Sequence, residues 1–280
     1  MKVKIIAEIG SNHAGDMSLA KEMISAAHES GADYAKFQSW KESNLKPGPW
    51  DEKHSFFGFD TKRDFYKFSE INDENHYELL EYCNKIGINF LTSCFSNDRI
   101  EFLSSLGLKT IKLASMDSRN LDLLQSVSDN FENVIVSTGM SNKKEIHNCK
   151  EFLDRVSKNY VMMHCVSIYP TPMDKVNLKK MLYIKSLMND GDWGISDHTI
   201  GTSFPKLAVC HNAKWIEKHF TIDQNLAGPD NKFSITPNDL SEIRSFCNDY
   251  EKMSFDDQKE VYDEELKLRP VVEGRFLGNF

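Results

Sequence analysis

Val3-Lys4-Ile5-Ile6-Ala7-Glu8, then Asp16-Met17-Ser18-Leu19-Ala20, and then Asp33-Tyr34-Ala35-Lys36-Phe37-Gln38 read as strand, helix and strand. The first run is β-branched and apolar until it ends in a carboxylate. The middle segment places Met17, Ala20, Ile24 and Ala27 at helical spacing, with Asp16 as N-cap and Gly31 where a helix-ending glycine belongs. The alternation repeats along the chain. Strands are expected at residues 3–8, 33–38, 88–93, 109–115, 133–138, 160–166, 193–196 and 214–220. Helices are expected after Asp16 and at residues 74–85, 99–106, 121–128, 143–156, 178–188, 204–211 and 237–250.

Strands separated by helical runs form βαβ units and a parallel sheet. Eight such units close into a barrel of about 250 residues, which the 280 residues accommodate. No GxGxxG follows the first strand, which weakens a dinucleotide-binding open sheet. The expected fold is therefore α/β, a (β/α)8 TIM barrel over residues 1–250, with residues 251–280 as a tail that starts helical. In such a barrel the site lies at the C-terminal ends of the strands.

Residues 39–73 are too long for a plain connector. Their aromatics, among them Trp40, Trp50, Phe56, Phe57, Phe59, Phe65, Tyr66 and Phe68, predict an ordered lid or interface.

The net charge of −8 and the lack of a basic stripe argue against a nucleic-acid partner. No apolar run is long enough for a membrane span, and the N-terminus lacks the features of a signal peptide. The six cysteines are scattered with no CxxC pair, as reduced thiols of a cytoplasmic protein would be. Cys94 and Cys165 fall near strand ends.

Polar residues recur at those ends. They include Glu8; Lys36 with Gln38; Ser93; Lys112, Ser115 and Asp117; Ser137-Thr138-Gly139; His164, Ser167 and Tyr169; Ser196-Asp197-His198; and Glu217 with His219. Taken singly, a strand lysine can snorkel and a histidine can sit hydrogen-bonded in a core. Together, at one end of nearly every strand, they predict a site, because inward charges are costly to bury. His198 and His219 end consecutive strands, which lie about 4.8 Å apart. Two such imidazoles can hold one ion and leave positions open for water or substrate. Lys36 and Lys112 with the hydroxyls of Ser93, Ser115 and Ser137 form a cradle for phosphate or carboxylate, and Gly139 lets backbone N–H groups approach an oxyanion.

The motifs Ile6-Ala7-Glu8-Ile9-Gly10, Asn12-His13-Ala14-Gly15, Ala35-Lys36-Phe37-Gln38, Lys112-Leu113-Ala114-Ser115, Ser137-Thr138-Gly139-Met140, His164-Cys165-Val166-Ser167-Ile168-Tyr169-Pro170, Ser196-Asp197-His198-Thr199, Ile216-Glu217-Lys218-His219-Phe220-Thr221 and Gly228-Pro229-Asp230 occur in order. This series resembles the sialic acid synthase family. The resemblance implies condensation of phosphoenolpyruvate with an N-acetylated amino-sugar aldehyde, giving a nine-carbon 2-keto acid of the N-acetylneuraminate, legionaminate or pseudaminate type. It implies a divalent metal, Mn2+ or Mg2+, on His198 and His219, and a homodimer. It also implies that Lys36, Lys112, Ser93, Ser115, Ser137 and Ser196 hold phosphoenolpyruvate, with Glu8, Gln38, Tyr169 and Asp230 toward the sugar and Asp117 near the reacting carbons. Glu8, Asp117 and Lys112 are the expected catalytic groups, and Ser167 is expected to bind substrate.

Many family members carry a small antifreeze-protein-like domain that supplies an arginine to the partner's sugar site. No such domain is found up to Phe280, so the sugar side of the site is expected to be open, or covered by the chain's own residues 39–73 and its tail, where Arg269 and Arg275 are candidate substitutes for that arginine. Two other readings remain at this point. One is a phosphoenolpyruvate-dependent aldol synthase acting on a phosphorylated sugar. The other is a non-catalytic barrel that binds a sugar or protein partner.

Overall fold

Eight parallel strands pair in chain order, and the first also pairs with the last, in a computed structural model that describes residues 2–189, 191–253 and 260–275. The strands are β1 Lys4–Glu8, β2 Tyr34–Ser39, β3 Asn89–Cys94, β4 Thr110–Leu113, β5 Asn133–Ser137, β6 Asn159–Cys165, β7 Trp193–Asp197 and β8 Trp215–His219. The helices are α1 Met17–Glu29, α2 Lys62–Ser69, α3 Asp73–Ile86, α4 Asn97–Ser105, α5 Leu121–Asn130, α6 Lys143–Val156, α7 Leu178–Met188, α8 Ser203–Cys210, α9 Pro237–Lys252 and α10 Asp263–Val272. This is the (β/α)8 barrel that the alternating pattern predicts. Strand β4 stops at Leu113, earlier than expected, because Ser115–Asp117 turns into a 3-10 helix.

Helix starts follow the side chains placed before them. The Asp16 carboxylate accepts from Ser18 and Leu19 N–H, and Asn72 from Asn75 N–H. Asn142 with Glu145, and Thr236 with Asp239, form capping boxes. Each such cap is worth about 1 kcal/mol.

Alternate strand residues face opposite ways. Ile5, Ala7, Ala35, Phe37, Ile111, Leu113, Val134, Val136, Ile195 and Ile216 point outward into the main core under the helices. Ile6, Leu91, Ile135, Val161, Met163 and Trp215 form a separate cluster inside the barrel. Trp215 fits there because β7 carries a glycine beside it. A Cβ on Gly194 would come within 2.2 Å of the Trp215 carbonyl oxygen. Above this apolar plug, the next inward residues are polar, so the lumen changes from hydrocarbon to charge toward the C-terminal mouth.

The lid expected at residues 39–73 is ordered and contains α2. Arg63 ties it together, bonding Glu42 Oε1 at 2.6 Å, the Leu45 carbonyl at 2.9 Å and the Asp51 carboxylate. Phe56, Phe57, Phe59 and Phe68 pack around buried Phe65 or one another. The lid leans on the strand-end face. Asn44 Nδ2 donates to Asp98 Oδ1 at 2.7 Å, and the Phe68 carbonyl sits 2.9 Å from where a Cβ on Gly15 would be.

Every described residue of 260–275 is exposed, and Arg269 pairs with Glu273 of its own helix at 3.5 Å. The described tail residues therefore do not cap the site: α10 is a one-helix segment with no buried face. Residues 254–259 and 276–280 of that expected tail lie outside the described residues. Among the described residues no helix is long and apolar enough to cross a membrane.

Candidate active site

Parallel pairing puts Glu8 opposite Lys36 on one side and opposite His219 on the other. Gln38 pairs with Ser93, Ser93 with Lys112, and Ser196 with Glu217. Register thus gathers residues from six strands near the C-terminal mouth of the barrel.

Their side chains form a buried ionic layer. Lys36 Nζ bonds Glu8 Oε2 at 2.5 Å and lies 3.5 Å from Glu217 Oε2. Gln38 Nε2 donates to Glu8 Oε1 at 2.6 Å. Lys112 Nζ reaches Glu217 Oε1 at 3.2 Å and donates to Ser137 Oγ at 2.7 Å. Ser196 Oγ donates to Glu217 Oε1 at 2.8 Å. Glu217 is the hub of this layer.

Two carboxylates and two ammonium groups balance formally, yet their titrations diverge for physical reasons. Burial raises the Glu8 pKa, and Glu217 repels its charge. Glu217 is driven well below the usual carboxylate range by Lys112 and Lys36, against its burial. Lys36 lies between two carboxylates, and their combined pull raises its pKa against burial. Lys112 has one carboxylate at close range and the Lys36 charge nearby, so burial wins and lowers it.

Beside the layer lies a hydroxyl-lined nook. Ser115 Oγ accepts from Gly139 N–H at 2.9 Å. A Cβ on Gly139 would lie 2.2 Å from Ser167 Oγ and 2.6 Å from Ser115 Oγ, so only glycine lets these groups converge. Cys165 Sγ, 3.8 Å from Ser167 Oγ, closes the nook, and burial raises its thiol pKa. None of the six cysteines is joined in a disulfide. Ser93 is buried next to Lys112.

His198 and His219 form the other half of the site. Their ring centroids are 5.4 Å apart. The Val166 carbonyl lies 3.1 Å from His198 Nδ1, which fixes that nitrogen as the donor and leaves the Nε2 lone pair free. The turn carrying His198 is braced by Asp197, which accepts from Thr199 N–H at 2.8 Å and from Lys218 Nζ at 2.7 Å. His219 Nδ1 is buried without a hydrogen bond, and Asp230 Oδ2 lies 3.5 Å away. Tyr169 packs 4.1 Å from the His198 ring and Phe233 5.3 Å from the His219 ring.

Burial lowers the His198 pKa and brings His219 down to about 4, so both imidazoles are neutral near pH 7. Two neutral imidazoles, one with an orphaned nitrogen, suit a divalent ion. Among the described residues no group of three or more metal-ligating side chains stands assembled. The pair would supply two ligands to such an ion, with any further ligands left to water or substrate.

Asp117 sits at the rim after β4, where burial raises its pKa to about 6 and its Oδ2 finds no partner. His164 is a strand-end polar residue that the fold directs away from the site. It faces outward, bonds the Val176 carbonyl at 2.8 Å and packs on Phe204. Sequence reasoning counted Glu217 among the strand-end polar residues but assigned it no role. Burial, and after it the Asp230 carboxylate, raise the pKa of Tyr66 on the lid, which the sequence marked only as a lid aromatic.

A closed barrel whose one mouth holds an ionic layer, a hydroxyl nook and two neutral imidazoles defines a (β/α)8 enzyme. Comparison with known proteins makes the assignment narrower. N,N'-diacetyllegionaminic acid synthase from Legionella pneumophila is 37% identical over 279 residues, 96% of this chain and 78% of that protein. The Campylobacter jejuni enzyme of the same name is 36% identical over 281 residues, 97% and 83% of the two chains. Among solved structures, the N-acetylneuraminic acid synthetase from Leptospira borgpetersenii, in complex with citrate, superposes with a TM-score of 0.85 at 29% identity. That match covers 97% of this chain and 93% of the other. Residues 23–259 match the NeuB family, and the chain belongs to it. It is thus a sialic acid synthase-like enzyme, of the class that condenses phosphoenolpyruvate with an amino sugar.

Proposed function

We propose that this enzyme joins phosphoenolpyruvate to the aldehyde carbon of an N-acetylated amino sugar, releasing phosphate and a nine-carbon 2-keto acid. The names of the two legionaminic acid synthases favour a diacetamido sugar. The observation that carries the reading is Glu217 bridging Lys36 and Lys112 beside the Ser115–Gly139–Ser167 nook. That arrangement gives an anion two ammonium groups, several hydroxyls and a close backbone approach.

In this reading the lysines and the hydroxyls of Ser93, Ser115, Ser137, Ser167 and Ser196 hold the phosphate and carboxylate. Glu8, Gln38, Tyr169 and Asp230 orient the open-chain sugar. His198 and His219 would hold Mn2+ or Mg2+, which supplies Lewis-acid polarisation of the aldehyde oxygen. The C3 carbon of phosphoenolpyruvate attacks the aldehyde carbon, the new C–C bond forms, and the aldehyde oxygen takes a proton. Water adds to the cationic C2 and loses a proton. The C2 hydroxyl then gives up its proton as the C2–O bond to phosphate breaks, so that C2 becomes the ketone. Asp117, protonated below about pH 6 by burial, stands at the rim to exchange these protons.

The test is phosphate release from phosphoenolpyruvate with N-acetylmannosamine and with diacetamido sugars, each with and without Mn2+. Metal-stimulated release with one sugar is the expected result. Absence of release with every sugar would overturn the reading.

A further inference from the structure

We infer that Asn12 is a positioning residue for the sugar side of the site, acting through Ser234 to hold Asp230 against His219. The inference rests on the reading that Asp230 meets the sugar. Asn12 belongs to the β1–α1 turn and is fully buried. Its Nδ2 donates to the Phe220 carbonyl at 2.9 Å and to Ser234 Oγ at 2.9 Å. Ser234 Oγ in turn donates to the Asp230 carbonyl at 2.7 Å. Asp230 Oδ2 ends the chain, 3.5 Å from His219 Nδ1.

The direction of this relay is fixed by chemistry. A carbonyl oxygen can only accept, so the amide nitrogen of Asn12 must face Phe220. Both its N–H groups are then used, and a single atom secures the end of β8 and the loop that follows it. The Asn12 carbonyl oxygen is left buried without a partner, a cost that packing alone would not select.

The loop between Phe220 and Ile235 is stiffened at other points. Thr221 Oγ1 donates to Asn231 Oδ1 at 2.6 Å, and Asn231 Nδ2 donates to the Ala227 carbonyl at 3.2 Å. Ile235 N–H donates to the His219 carbonyl at 2.8 Å. Asn12 is the member of this network that comes from the far end of the chain. It couples the first strand, which carries Glu8, to the loop that carries Asp230.

Asn12→Asp is nearly isosteric but sets a carboxylate oxygen against the Phe220 carbonyl. Steady-state kinetics on Asn12→Asp and Asn12→Ala should show the sugar KM raised at least tenfold and the phosphoenolpyruvate KM changed less than twofold. In an Asp230→Ala background the same substitutions should raise the sugar KM no further. A full additional rise in that background, or an equal rise in both KM values, would overturn the inference.

Ser234→Ala cuts only the second link and guards against a misfolded Asn12 variant. It should raise the sugar KM three- to tenfold, and an unchanged value in folded protein would also count against the relay. Hydrogen exchange separates this idea from the proposed function. Faster exchange at the Ser234 and Ile235 amides in these variants, with strand amides still protected, supports the relay even if no sugar is turned over. Unchanged exchange there overturns it even in an active enzyme.

Discussion

Lys112 Nζ lies 3.2 Å from Glu217 Oε1, and both side chains are buried in the lumen of the barrel. Glu217 therefore neutralises the cation that the site needs for an anionic substrate, and it does the same to Lys36 from its other oxygen. Glu217→Gln keeps the shape and removes the charge. Breaking a buried pair of this kind costs about 3–5 kcal/mol. Thermal unfolding should show the loss of stability, while calorimetry should show tighter binding of phosphoenolpyruvate to the two freed lysines. Weaker binding would mean that Glu217 orients the lysines more than it competes for them.

Lys36→Met and Lys112→Met test the cradle from the other side. A hydrogen bond to a charged group contributes about 1.5–3 kcal/mol. Each variant should therefore bind phosphoenolpyruvate roughly ten- to a hundredfold more weakly in calorimetry. Unchanged affinity in both variants would remove the lysines from the anion site.

The barrel was legible because its signal is repeated: outward-facing residues such as Ile5, Ala7, Val134 and Val136 make the strands apolar, and helices follow each strand. The ends of the strands were legible for the same reason, since burying Glu8, Lys36 and Lys112 has no packing rationale. Pairing across the barrel was not. The partners of Glu217 stand on β2, β4 and β7, and no local spacing connects them. Helix α2 was hidden by composition. Of its eight residues only Phe65 and Ser69 are buried, so no apolar stripe marks it, although Thr61 and Asp64 form its capping box. The place of the tail was not legible, because Arg269 could be read as a ligand for the site, whereas in the structure it pairs with Glu273.

On the proposed reading, the neutral histidine pair would hold a divalent ion, and turnover should depend on it. His198→Ala or His219→Ala should abolish turnover that Mn2+ restores to the chelated parent enzyme. The readout is phosphate release across a Mn2+ titration. Full turnover of the parent in a metal-free sample would rule out the ion, and with it the role assigned to the two imidazoles.

Asp117 gives a pH dependence of defined sign. Its pKa in the folded protein is about 6, against an ordinary value of 3.8, because burial disfavours the carboxylate. The folded state thus holds this proton more tightly than the unfolded state. Its contribution favours folding below about pH 4, falls as the pH rises toward 6, and stays unfavourable above that. Asp117→Asn cannot ionise and escapes the penalty. After allowance for screening at this half-exposed position, the gain at pH 8 is about 1 kcal/mol, or roughly 2 °C in Tm for a domain of this size. The Tm difference between variant and parent should shrink toward zero at pH 4. Turnover should move the other way, falling at least tenfold in the variant because the amide cannot exchange a proton with the reacting atoms. A variant that is no more stable at pH 8 than at pH 4, relative to the parent, would show that burial does not raise the Asp117 pKa.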